Sequence, residues 1–130
     1  MNEKLLRVVV AAPLDGARAA LRRLVEGQWG WEVVAEAADG LAAVRAARTN
    51  RADVLLADGS LEGPGIAGIR EILPGDSPIL VVGLVDRPTD LATSQGISIL
   101  KGVPGDRVRR VVLEALEARW SRPTEPEVIS

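Results

Sequence analysis

Apolar and polar positions fall in blocks along this chain, and the blocks predict its elements. Arg7-Val8-Val9-Val10-Ala11 is a short apolar run rich in β-branched residues. It stops at Pro13 and predicts a buried strand. Ala17, Leu21, Leu24 and Val25 then recur at helical spacing, with Arg18, Arg22 and Arg23 on the other side. Asp15 and Gly16 are placed to cap this helix, and Gly27 to end it. Trp31–Ala37 predicts a second strand. Asp39-Gly40 opens an alanine-rich helix over about Leu41–Thr49. Asp53–Asp58 predicts a third strand, apolar between two acids. A Gly-rich loop, 59–65, leads to a short helix around Ile66–Leu73. Pro78–Gly83 predicts a fourth strand, and a polar stretch follows with at most a short helix near Pro88–Ser94. Ile97–Lys101 predicts a fifth strand. Pro104 stands where a proline opens a helix, and Val108, Val111, Val112, Ala115 and Leu116 make its apolar stripe to about Arg119.

Strands thus alternate with helices, and the strands are unbroken apolar runs. Such runs suit a sheet covered on both faces. The expected fold is α/β: a doubly wound, five-stranded parallel sheet, flavodoxin-like. Ligands of such sheets sit at the carboxyl ends of the strands. Ala12, Pro13, Asp58, Gly83 and Lys101 are each expected at or just past a strand end.

Composition narrows the chemistry. The 130 residues suit one domain. We expect it over 1–120, with 121–130, rich in Pro and Glu, as a linker or tail. Net charge is −2, from 16 Lys and Arg against 18 Asp and Glu, so no basic excess points to nucleic acid or to an acidic membrane surface. With no cysteine there is no disulfide, thiol nucleophile or Cys-held zinc. With no histidine there is no Ser-His-Asp triad and no imidazole base or ligand. The aromatics are Trp29, Trp31 and Trp120, too few for base-stacking platforms. No apolar run approaches the ~20 residues of a membrane span. The residues from Met1 to Arg7 lack a signal peptide's apolar segment, so a cytoplasmic location is expected.

Three stretches carry a family resemblance. Val33-Val34-Ala35-Glu36-Ala37-Ala38-Asp39-Gly40 and Ala52-Asp53-Val54-Leu55-Leu56-Ala57-Asp58 resemble the response-regulator receiver (CheY-like) domains of two-component signalling. The first stretch looks like receivers of NarL/LuxR-type regulators. Pro64-Gly65-Ile66-Ala67-Gly68 is similar to the family's Pro-Gly-x-x-Gly turn. The resemblance runs from Arg7 to about Arg119. Receivers need an aspartate to take the phosphoryl group and two further acids to help it hold Mg²⁺. They also use a lysine on the phosphoryl group, a Ser or Thr that senses it, and an aromatic that moves with that hydroxyl. On the matching positions, Asp58 is the phosphoacceptor equivalent and Lys101 is the lysine. The acid pair falls on Ala12 and Pro13, the hydroxyl on Gly83 and the aromatic on Ser98.

The resemblance therefore implies a degenerate, pseudo-receiver form. Mg²⁺ binding is expected to be lost, with no metal ligand set, no cofactor and no catalytic residue. Asp58 and Lys101 are expected to pair with each other. The third and fourth helices are expected to be shortened, which alters the face that relays output. The expected function is phosphorylation-independent contact with a protein partner or a second copy, regulating transcription through a module outside this chain. One alternative keeps Asp58 as a working phosphoacceptor, with Asp15 or a rearranged loop holding Mg²⁺. Another is a small-molecule sensor, with its ligand in the crevice beside Asp58 and Lys101. Direct nucleic-acid or membrane binding is not expected.

Other motifs read more plainly. Gly63-Pro64-Gly65-Ile66-Ala67-Gly68 fits G-x-G-x-x-G, but it lies too far past its strand for a dinucleotide fingerprint, and Pro64 removes an amide. A permissive turn is expected. Arg107, Arg109, Arg110, Arg119 and Arg122 are interleaved with Asp106, Glu114 and Glu117, as on a solvated helix face. Trp29 and Trp31 flank Gly30, so one is expected buried and one exposed.

Overall fold

β-Branched runs with little polar content need both faces covered, and here two helices cover each face. A computed structural model describes residues 5–74, 77–88 and 96–120. The strands are β1 (Leu6–Ala11), β2 (Trp31–Ala37), β3 (Val54–Asp58), β4 (Leu80–Val85) and β5 (Ile97–Leu100). The described helices are α1 (Asp15–Glu26), α2 (Gly40–Thr49), α3 (Gly65–Ile72) and α4 (Gly105–Trp120). The five strands form one sheet in the order β2-β1-β3-β4-β5, and every pair is parallel. This is the flavodoxin-like order, whose direction of winding reverses between β1 and β3.

The period of two sorts the strands between two cores. Val8, Val10, Val54, Leu56, Val82, Leu84 and Ile99 pack on one face against Leu21 and Val25 of α1 and Val108, Val112 and Leu116 of α4. Val9, Ala11, Leu55, Ala57 and Val81 pack on the other face against Ala43, Val44 and Ala47 of α2 and Ile69 of α3. Each fully buried Val or Leu contributes about 1.5–3 kcal/mol by leaving water. β1 carries a bulge between Val8 and Val9 in its pairing with β2.

Several boundaries differ from expectation. α1 begins at Asp15, so Asp15 is no cap. The N-cap is Leu14, which offers no side-chain bond. Asp39 does cap α2, its carboxylate accepting from the Ala42 amide at 2.9 Å. Pro104 lies before α4 rather than in its first turn, and its carbonyl accepts from Arg107 and Val108. β4 starts later and runs to Val85, so Gly83 lies inside the strand and not at its end. α3 spans eight residues. The short helix expected near 88–94 lies outside the described residues apart from Pro88, as does the 121–130 tail. Trp31 is buried and Trp29 is 75% exposed. Among the described residues, no helix is long and apolar enough to cross a membrane.

Candidate functional site

Asp58 ends β3 on the sheet face that carries α1 and α4. It is the buried acid among the described residues, 4% exposed. A buried carboxylate stays charged only with partners, and the local chain supplies them. Two residues on, Ser60 turns back so that its amide and its hydroxyl donate to Asp58 Oδ1 at 2.8 and 2.7 Å. That is an Asx-type turn of the kind Asp favours. From the end of β5, Lys101 Nζ reaches the same oxygen at 3.0 Å. Oδ1 thus accepts three bonds, while Oδ2 accepts none among the described residues.

Lys101 has a second acid. Asp86, the first residue past β4, places Oδ1 3.2 Å from Nζ. The ammonium is thus held between two carboxylates from adjacent strand ends. Burial pushes the Asp58 carboxyl upward, but the two Ser60 bonds and the Lys101 charge outweigh it and hold it below the usual value. Burial likewise pulls Lys101 down, and its bonds to Asp58 and Asp86 more than compensate, raising it. Both groups are held charged.

The other predicted positions take no part in the bonds of this pair. Ala12 follows β1, whose Ala11 pairs with Ala57, and is fully buried. Its carbonyl accepts from Arg18 Nη1 at 2.9 Å. Arg18 also meets Asp15 at 2.5 Å and Glu36 at 3.6 Å. A guanidinium, not a carboxylate, therefore lies against the carboxyl end of β1. Ala12 and Pro13 have no side-chain donor for a metal. Asp15 is committed to Arg18, with its side chain 96% exposed. Among the described residues, no three metal-ligating side chains cluster. A hard cation such as Mg²⁺ wants an octahedron of oxygens, and this set does not fit it.

Gly83 and Ser98 are brought together. They are direct partners in the β4–β5 register. A Cβ placed on Gly83 would stand 2.7 Å from Ile66 Cδ1 and 3.3 Å from Ser98 Oγ. The space of a side chain at 83 is thus filled by Ile66 of α3. Arg70, one turn further along α3, donates from Nη2 to the Ile97 carbonyl at the start of β5. Its guanidinium lies against Gly96, whose φ of +93° favours glycine and whose added Cβ would approach Arg70 Nε at 2.9 Å. Burial lowers the Arg70 pKa. α3 is fastened to β5 across β4.

The glycine motif is a packing device. Cβ atoms on Gly40 and Gly68 would lie 2.9 and 2.7 Å from the Pro64 ring. Pro64 is wedged between the start of α2 and the body of α3.

Sequence reasoning found Asp58, Lys101 and their pairing. It missed Ser60 and Asp86 as partners. The Asp-x-Ser spacing signals the first, and the first polar residue after the β4 run signals the second. The crevice lies beside Asp58 and Lys101, as expected, but its walls come from α1 and α4. A cavity of about 270 Å³ runs from Asp58 and Lys101 between α1 and α4, lined by Ala17, Leu21, Leu84 and Val108 and not by Ala12, Pro13 or Gly83.

No family model matches the chain. It is 35% identical over 99 residues, 75% of its length, to protein-glutamate methylesterase/protein-glutamine glutaminase 2 of Anaeromyxobacter dehalogenans (strain 2CP-C). The match spans 29% of that protein. The signal receiver domain of the response regulator NarL from Mycobacterium tuberculosis superposes with a TM-score of 0.77 at 26% identity, covering 89% of this chain and 99% of that one. The response regulator domain of Thermotoga maritima CheB gives 0.69 at 22% identity, covering 92% and 100%. The chain has the fold of the response-regulator receiver domains, a five-stranded parallel sheet with helices on both faces.

Proposed function

We propose that this chain is a signal-transduction domain of the receiver type that works through protein contacts without phosphorylation, a pseudo-receiver. The observation that carries this reading is that Asp58 Oδ1 is taken by Ser60 and Lys101, with no acid at the two positions after β1, Ala12 and Pro13. Phosphoryl transfer depends on positioning and on neutralising charge at the phosphoryl oxygens. With no acid at positions 12 and 13 to hold a cation beside Asp58, that charge would be met by Lys101. Gly83 supplies no hydroxyl to sense a phosphoryl group, and Ser98 no aromatic to move with it.

The output is then read from the surface. Leu113 of α4 and Trp29 before β2 are exposed apolar side chains, suited to a protein partner or a second copy of the chain. The domain reading covers 1–120, and a module outside this chain would deliver the output, with transcription the proposed one. No catalytic role is assigned, and the expected setting is the cytoplasm.

Intact-mass spectrometry after incubation with acetyl phosphate tests this, with and without Mg²⁺, beside Asp58→Asn. The expected result is no adduct in any sample. A Mg²⁺-dependent phosphoryl adduct absent from Asp58→Asn would establish the second reading, a working phosphoacceptor. The open Oδ2 of Asp58 is the feature that favours that second reading.

A further inference from the structure

The cavity between α1 and α4 has a polar end and an apolar body. Its walls are Ala17, Leu21, Leu24, Leu84, Val103 and Val108. Its floor holds Asp58 and Lys101. At about 270 Å³ it exceeds the ~150 Å³ of an apolar cavity that takes benzene and lies just below the usual range for ligand pockets. The small side chains of Ala17 and Ala20 on α1 and the bare Gly102 after β5 leave this room.

The floor is chemically incomplete. Asp58 is 96% removed from solvent by its 4% exposure, is held charged, and has one oxygen with no donor among the described residues. Asp86, the second partner of Lys101, does not line the cavity, so Asp58 is the carboxylate a ligand there would meet. An anionic ligand would set its charge against that carboxylate. A donor cation would complete Oδ2.

We propose that this cavity binds a small primary amine with an apolar body, its ammonium on Asp58 Oδ2 and its hydrocarbon among the α1 and α4 side chains. The proposal rests on reading Asp58 as free of metal and phosphate. Because the ligand would touch both α1 and α4, it would couple to the exposed face of α4 that carries Leu113.

The test uses 2-phenylethylamine as probe, with 2-phenylethanol and phenylacetate as neutral and anionic relatives of similar shape. Thermal melts and titration calorimetry at pH 7 give the readout. The amine at ten times its dissociation constant should raise the melting temperature by about 5 °C. The alcohol should bind at least tenfold more weakly, and phenylacetate should give no shift. Ala20→Leu, at the exposed rim, should close the cavity and abolish the amine shift while keeping the circular dichroism and melting point of the parent. Asp58→Asn should remove the preference for amine over alcohol. No shift with any probe, equal shifts for amine and phenylacetate, or an undiminished shift in Ala20→Leu would each overturn the proposal. Such a failure leaves the pseudo-receiver reading standing. A Mg²⁺-dependent phosphoryl adduct at Asp58 would overturn that reading and this proposal together.

Discussion

Removing the Lys101 ammonium would leave the Asp58 carboxylate buried with Ser60 as its remaining partner. A fully buried pair broken in this way loses about 3–5 kcal/mol. Lys101 is 35% exposed at its side chain, so water can replace part of its contact. Lys101→Ala should therefore lower stability by about 1–3 kcal/mol in urea unfolding. Gly83 makes a separate residue-scale case. A single added methyl meets the tip of the Ile66 side chain, which a rotamer change can move. A threonine adds two further heavy atoms and needs the space of that whole side chain. Gly83→Thr should lower stability by about 1–3 kcal/mol. Combined with Ile66→Ala it should lower stability by less than the two single losses added together, which a double-mutant cycle in urea measures directly.

At the scale of elements, the α2 cap is the most exposed to a single change. Asp39→Ala removes the acceptor of the Ala42 amide and should cost about 1 kcal/mol, read from the thermal midpoint and helical circular dichroism. No comparable loss is expected on α1, where Leu14 holds the cap position and Asp15 works through Arg18 instead. How far the elements were legible in the sequence follows from the same contrast. β2 matches its predicted span end to end, because Trp31 to Ala37 is bounded by a turn at Gly30 and a cap at Asp39. β4 lies two residues later than its apolar run predicts, because a glycine that usually weakens a strand interior stands inside it. Here Ile66 from α3 fills the glycine's place, and no local pattern records that. Asp58 and Lys101 were legible as strand-end charges. Their full environment was not, since Asp86 reaches Lys101 only through the β4–β5 register.

The whole molecule carries the pH dependence. Asp58 titrates lower in the folded chain than in the unfolded one. Its contribution is therefore complete above about pH 4 and is lost as pH falls through the depressed folded value. Lys101 titrates higher when folded. Its contribution is complete below about pH 10 and is lost as pH rises through the raised value. The pair stabilises the broad plateau between. Unfolding curves from pH 2 to 8 should show parent and Asp58→Asn converging at the acid end and diverging toward neutrality. The two sheet faces also divide the molecule's labour. Asp58, Lys101 and the cavity lie on the face of α1 and α4, while Gly83, Ile66 and the Arg70 brace lie on the face of α3. The brace has a consequence for the history open to this sequence. A hydroxyl residue entering position 83 passes through a less stable protein while Ile66 stands there. Trimming Ile66 first opens a hole beside a bare glycine. Each order of events is penalised, so substitution at these two positions is epistatic.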